Sequence, residues 1–160
     1  LLTRCIDAEE AFSFIDGRLL ALIFSMLAVG AALQDSGAVA LVVMGLAPYL
    51  EVLTPFLLIW SIYLITSLLT EMVSNNAVAV VVTPIAVGIA EALGHDPRAL
   101  VVAVMIAASA SFATPIGYQT NTMVYGPGGY RFTDYLRVGI PLNLSVGLLA
   151  SALIPLIWRL

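Results

Sequence analysis

The stretch SLLTEMVSNNAVAVVVTP, Ser67 to Pro84, places Glu71, Ser74, Asn75 and Asn76 in the middle of a strongly apolar run. A second polar cluster, TPIGYQTNT over 114–122, sets Thr114, Thr120, Asn121 and Thr122 in another. A polar group placed in hydrocarbon without a partner is costly. These residues therefore either lie in loops outside a membrane or hold something. The chemistry they offer is ligation. Carbonyl and amide oxygens suit a bare cation, whereas amide and main-chain N–H groups suit the oxygens of an anion. Hydrolysis at Ser74 lacks a partner: His95, the single histidine, falls in a turn, and lysine is absent. The lone Cys5 excludes an intrachain disulfide and a cysteine metal cluster, and one histidine excludes a multi-histidine site.

The chain around these residues is 160 residues long, 61% hydrophobic and only 10% charged, with a mean hydropathy of +1.06. Soluble domains are nearer 45–50% apolar and about 25% charged. The composition is that of an all-α, polytopic membrane protein. A net charge of −4 gives no nucleic-acid footprint. Arg4, Asp7, Glu9 and Glu10 break the first segment before any apolar run, so it is not a signal peptide. The chain opens with Leu1, and it reads as part of a longer protein.

Residues 1–16 read as a charged, amphipathic lead-in. Leu19–Leu33 is apolar but short of the ~20 residues of a full crossing. QDSG (34–37) stops it, with Asp35 read as an N-cap. Ala38–Leu50 is too short to span and is expected at the interface or inside a bundle. Thr54-Pro55 is a helix start, an N-cap followed by proline at the first helical position. Phe56–Thr70 runs into the first polar cluster and Ala77–Ala90 leaves it, both shorter than the ~20 residues of a crossing. GHDPR (94–98) is a turn, and Asp96-Pro97 starts another helix. Leu100–Ala113 is apolar until Pro115 and Gly117 interrupt it. YGPGGYRFTD (125–134) is a loop. Tyr135–Trp158 is long enough to span, kinked by Pro141, with Asn143 lying outside both breaks.

Two short arms joined by a polar turn make a re-entrant hairpin. A broken helix directly after it is the pattern of a transporter binding site. At the hairpin tip the first arm ends near Glu71–Val73, bringing free carbonyls and a negative dipole end. The second begins near Asn75–Asn76, bringing free N–H groups and a positive end. The second break repeats this, with Ala113 and Thr114 closing one half-helix and Thr120, Asn121 and Thr122 opening the next. The hydroxyl–amide pairs Ser74-Asn75 and Thr120-Asn121 look like two walls of one site for a cation and an anion. Simpler readings stand beside this one: a capped turn at 74–76, a proline–glycine kink at 115–117, and a buried, satisfied acid at Glu71. Arg4 and Arg18 flank the first span, and Arg131 and Arg137 flank the glycine loop. The positive-inside rule puts both regions in the cytoplasm, and the 91–98 turn and C-terminus outside.

TEMVSNNAVAVVVTPIA, followed by FATPIGYQTNTMVYGPGGYRFTDYLRVGIPLN, resembles the C-terminal half of the divalent anion–sodium symporters, inverted-repeat carriers of the ion transporter superfamily. The family's Ser-Asn-Thr hairpin signature falls on Ser74, Asn75 and Asn76, with asparagine in third place. Where dicarboxylate members carry Pro-Pro-Asn, this chain has Gln119-Thr120-Asn121. That form, with YGPGGY after it, looks more like the sulfate-type permeases that carry cytoplasmic TrkA-C regulatory domains. The resemblance covers about residues 10–158. It implies the end of a scaffold domain over 1–53, with a last scaffold helix and an interfacial linking helix. It implies a transport domain over 54–134, with a re-entrant hairpin at 54–93, a broken helix at 97–126 and a cytoplasmic loop. The last transmembrane helix is 135–160. The inverted copy of hairpin and broken helix would lie in a missing N-terminal half.

The resemblance implies a Na⁺-coupled secondary transporter for a divalent anion such as sulfate or a dicarboxylate, working by alternating access. It implies anion contacts from Ser74, Asn75, Asn76, Thr120, Asn121 and Thr122. A Na⁺ site is drawn from Thr70, Val73, Asn75, Ala113, Thr114 and Gly117, with Glu71 as a proton or support site. No cofactor is expected beyond Na⁺ as coupling ion. The implied setting is a bacterial inner membrane, as a homodimer in the lipid bilayer. The alternatives are an H⁺-coupled carrier or Na⁺/H⁺ antiporter using Glu71, and a non-transporting or channel-like membrane subunit.

Overall fold

A computed structural model describes residues 17–158; the amphipathic lead-in expected over 1–16, Arg4 and Cys5 lie outside the described residues. Among the described residues seven helices follow one another: α1 (Gly17–Asp35), α2 (Ala38–Leu50), α3 (Pro55–Thr70), α4 (Asn75–Ala92), α5 (Pro97–Ser109), α6 (Gln119–Tyr125) and α7 (Phe132–Ile157). No strand occurs among the described residues. The all-α membrane character read from composition holds: α4 and α7 are each long and apolar enough to cross a membrane, and α1 with α2 makes a pair bent by 67° that passes the same test together.

Local signals account for most helix starts. The Thr54 side chain accepts from the Leu57 N–H, and Pro55 opens α3. Ser74 caps α4 by accepting from Ala77. Asp96 caps α5 by accepting from Arg98, with Pro97 at the start. Each cap satisfies an N–H that has no partner inside its helix. Asp35 is not the expected cap: it ends α1, and Gly37 stands before α2 in the left-handed region, at φ 75°. A tight reversal needs that backbone, and glycine adopts it without a Cβ penalty.

Three boundaries differ from the sequence reading. The second arm of the hairpin is longer than Ala77–Ala90, running from Asn75 to Ala92. Eighteen residues at ~1.5 Å each come close to the ~30 Å hydrocarbon thickness, whereas α3 stays short at 16 residues. The apolar run 100–113 unwinds after Ser109. The last helix starts within the glycine loop, at Phe132, because Asp134 folds back to accept from the Arg131 N–H.

The core lies between α3, α4, α5 and α7. Leu58 and Ile62 on α3, Val78, Val82 and Ala86 on α4, and Leu100, Ala103 and Val104 on α5 recur at helical spacing and are buried together. Val43 of α2 reaches the same cluster. α7 presents Gly139, Asn143, Gly147, Ala150 and Ile154, all buried. A Cβ on Gly139 would stand 2.1 Å from the Phe112 carbonyl oxygen, and one on Gly147 would stand 2.3 Å from the Tyr63 ring. These two glycines let α7 lie directly on the unwound segment 110–118 and on α3. Small residues at helix contacts permit this close approach in membranes, where burial from water no longer drives packing.

Candidate functional site

The two polar clusters meet. α3 ends at Thr70 and α4 begins at Asn75; α5 ends at Ser109 and α6 begins at Gln119. The Thr70 hydroxyl donates to the Ala108 carbonyl at 3.1 Å. Ser111 Oγ donates to the Thr70 carbonyl at 3.3 Å, and Thr114 Oγ1 donates to the Glu71 carbonyl at 3.1 Å. The Ala113 N–H donates to Glu71 Oε1 at 2.9 Å. Two helix C-termini and two helix N-termini are thus drawn to one place. Irregular backbone of this kind is tolerated at membrane depth where protein or a cavity satisfies it.

The carbonyls at the end of α3 were expected to be free. Those of Thr70 and Glu71 each receive a hydroxyl from the break, and each keeps one lone pair. Thr70 Oγ1 also lies 2.7 Å from Asn75 Oδ1. The hydroxyl has one hydrogen for two acceptors. Giving it to Ala108 and turning the Asn75 amide so that one N–H donates to Thr70 keeps both contacts and leaves the Asn75 oxygen free.

Asn121 is differently placed. Its Nδ2 donates to the Ser111 carbonyl at 2.9 Å and to the Thr114 carbonyl at 3.0 Å, and its own carbonyl accepts from Tyr135 at 3.0 Å. Both amide hydrogens are engaged in holding the unwound segment, so the Asn121 side chain offers a ligand only its oxygen. Thr122 Oγ1 donates to the Pro115 carbonyl at 2.8 Å. Ser74 serves as a cap. Asn76 and Thr120 are exposed and have no hydrogen bond among the described residues; Val73 is exposed as well. Thr70, Glu71, Ala113 and Gly117 are buried at the contact, with Asn75, Thr114 and Asn121 half-buried around it.

The Glu71 side chain joins the break and α7 through a single oxygen. It is 8% exposed. Oε1 accepts from Ala113 and also from Asn143 Nδ2 at 2.8 Å, while Oε2 is buried without a partner among the described residues. Asn143 is in turn fixed by Tyr63, whose hydroxyl donates to the Asn143 carbonyl at 2.9 Å. Behind them lies a cavity of about 170 Å³ bordered by Tyr63, Ser67, Glu71, Ala113 and Asn143 among others. No group of three or more His, Cys, Asp or Glu side chains gathers as a metal site among the described residues. The oxygen groups gathered here are hydroxyls, amides and carbonyls beside one carboxyl, the kind of group a hard cation takes as ligand.

A family model described as citrate transporter matches residues 1–160. This chain belongs to the citrate transporter family. It is 42% identical over 158 residues to the uncharacterized transporter sll0640 of Synechocystis, covering 99% of this chain and 26% of that protein. It is 36% identical over 155 residues to the uncharacterized transporter YfbS of Escherichia coli, covering 97% and 25%. Sodium/sulfate cotransporter 1 of Chlamydomonas reinhardtii is 34% identical over 153 residues, covering 94% and 17%. The chain therefore spans about a quarter or less of the length of these relatives. Its family members and relatives are transporters and not enzymes.

The sequence reading did not include Asn143, Ser111 or Tyr63 in the site. Asn143 in particular was placed outside both breaks, yet it bonds to the hairpin tip across 72 positions of sequence. A signal was present. Gly139, Asn143, Gly147 and Ser151 follow one another at i+4 on a single face of α7, and an amide in such a small-residue seam needs a partner across it.

Proposed function

We propose that this member of the citrate transporter family carries a divalent anion, of the sulfate or dicarboxylate class, across the membrane together with Na⁺ by alternating access. The observation that carries this is the convergence of two broken helices on one polar contact, with main-chain carbonyls from one side and helix N-termini from the other. Na⁺ is held by carbonyl and side-chain oxygens drawn from Thr70, Val73, Asn75, Ala113, Thr114 and Gly117. The anion is held near the start of α4 by Ser74, Asn75 and Asn76 and from the second break by Thr120, Asn121 and Thr122. The Na⁺ charge makes the approach of a dianion past Glu71 favourable, so the cation binds first. Relatives whose names are sodium/sulfate cotransporters support the pairing of Na⁺ with an anion. The two arms α3 and α4 act as a re-entrant hairpin, one half of an inverted-repeat site whose other half comes from further chain. The protein works in the cell membrane, as a homodimer. Uptake of labelled sulfate driven by an imposed Na⁺ gradient tests the reading.

A second reading, H⁺ coupling through Glu71, is favoured by the buried and unpartnered Oε2. It predicts uptake that follows the proton gradient and ignores Na⁺.

The orientation places the glycine loop in the cytoplasm and the 91–98 turn outside, from the arginines beside the former. Single cysteines test it in a carrier with Cys5 replaced by alanine. Gly94 and Gly129 have positive φ, 71° and 65°, and resist substitution. Ala92 is exposed, and Gly126 has open space around its Cβ position. An impermeant thiol reagent applied outside whole cells is expected to label Ala92→Cys and to spare Gly126→Cys. The reverse pattern refutes the orientation.

A further inference from the structure

We infer that Glu71 is a positioning residue that works as a hydrogen-bond acceptor, fixing the cation side of the site through Ala113 and Asn143. This deepens the Na⁺-coupled reading and rests on it.

Two observations converge. First, Glu71 Oε1 takes two hydrogen bonds from two different elements, the main chain of the break at Ala113 and the Asn143 amide on α7. One oxygen with two lone pairs is fully used by them. It thereby joins the hairpin tip, the unwound segment and the last helix at a single atom. Second, the neighbouring main-chain groups are the ones proposed for Na⁺. The Glu71 carbonyl receives Thr114 and the Thr70 carbonyl receives Ser111, so moving the carboxyl group moves the frame that aims Thr70, Ala113 and Thr114.

A glutamine at 71 meets these demands. Its carbonyl keeps the two bonds of Oε1. Aspartate keeps the charge but is one methylene shorter and loses the reach. Groups that position the ligands of a metal commonly change its affinity by about 10–100-fold when removed. The test measures the Na⁺ half-saturation, the anion KM at saturating Na⁺ and the maximal rate, per amount of carrier in the membrane. Glu71→Gln, Glu71→Asp, Glu71→Ala and Asn143→Ala are compared, with Ser151→Ala as control, because Ser151 is buried on α7 with an unpartnered hydroxyl. Glu71→Gln is expected within about threefold of the wild type, a shift smaller than the tenfold lower bound for a lost supporting contact. Asn143→Ala, Glu71→Ala and Glu71→Asp are expected to raise the Na⁺ half-saturation about tenfold or more, with a much smaller change in anion KM. The Glu71→Ala, Asn143→Ala pair is expected to be no worse than its worse member, since the two act as one unit. If Glu71→Ala does not reach the membrane, the order of Gln against Asp decides. Aspartate functioning better than glutamine overturns the inference, as does a Na⁺ half-saturation unchanged in Asn143→Ala. A wild type that transports without regard to Na⁺ overturns the symport reading itself; a Na⁺-dependent wild type with either of the two preceding results overturns only the role given to Glu71.

Discussion

Replacing Asn75 with alanine is expected to remove most Na⁺-driven anion uptake while leaving the carrier in the membrane at near-normal amount. Asn75 is the first residue of α4, but it is not the cap. Ser74 supplies that by accepting from Ala77, so the helix start survives the substitution. What is lost is the amide beside Thr70, 2.7 Å from its hydroxyl, and with it the side-chain oxygen we propose as a ligand of the cation. One neutral hydrogen bond is worth about 1 kcal/mol of stability, which a membrane bundle tolerates. A ligand lost from a shared site is expected to lower affinity by tenfold to a hundredfold, ~1.4 kcal/mol for each factor of ten. Expression and uptake measured on the same cells separate the two. Asn143 cannot serve as the neutral comparison, because it holds Glu71. Ser145→Ala is suitable, since that exposed hydroxyl bonds only within its own helix, to the Pro141 carbonyl. Asn75→Ala losing uptake only in proportion to its amount in the membrane would make the hairpin tip a structural turn.

Gly117→Ala is expected to be at least as damaging, for a steric reason. The backbone of Gly117 is not in the left-handed region; what matters is space. An added Cβ would stand 2.0 Å from Ser111 Oγ, and 3.0 Å from both Glu71 Oε2 and Thr114 Oγ1. None of these can swing aside cheaply. Ser111 is bonded to the Thr70 carbonyl, Thr114 to the Glu71 carbonyl and to the Gly117 N–H itself, and Glu71 to Ala113 and Asn143. The break must move away from the hairpin tip, and displacements near 1 Å at a site built on geometry can cost about 100-fold. A loss of uptake of that order is expected, with the Na⁺ dependence altered in whatever activity remains. Gly126→Ala, which meets nothing within 4 Å, is expected to be neutral. Normal transport by Gly117→Ala would show that the two breaks do not need this contact.

Much of this arrangement is legible in the sequence because it is written locally. Thr54-Pro55 and Asp96-Pro97 mark their helices by capping chemistry, and Ala38–Leu50 is bounded as the apolar run suggests. The polar clusters reveal themselves by standing in hydrocarbon-like surroundings. The rest is tertiary. Alanines and serine over 107–111 are unremarkable helix formers, so nothing local says that α5 ends at Ser109; the end is set by bonds from the break to Thr70 and Glu71. Asn121 resembles a free ligand in sequence, yet its amide is committed to two carbonyls. The Asn143–Glu71 bond depends on how α7 crosses α3, which Gly139 and Gly147 permit and no single segment encodes.

The claim that the convergent breaks couple Na⁺ to an anion is tested most directly by flux. The native carrier, reconstituted in vesicles, is given labelled sulfate outside, with citrate and succinate as competitors. An inward Na⁺ gradient is imposed, the proton gradient is collapsed by an ionophore, and Na⁺ is replaced by K⁺ in the paired sample. The account predicts accumulation of sulfate, lowered by a competing dianion, saturable in Na⁺, lost in K⁺ and insensitive to the ionophore. Uptake that persists in K⁺ and disappears with the proton gradient would contradict it.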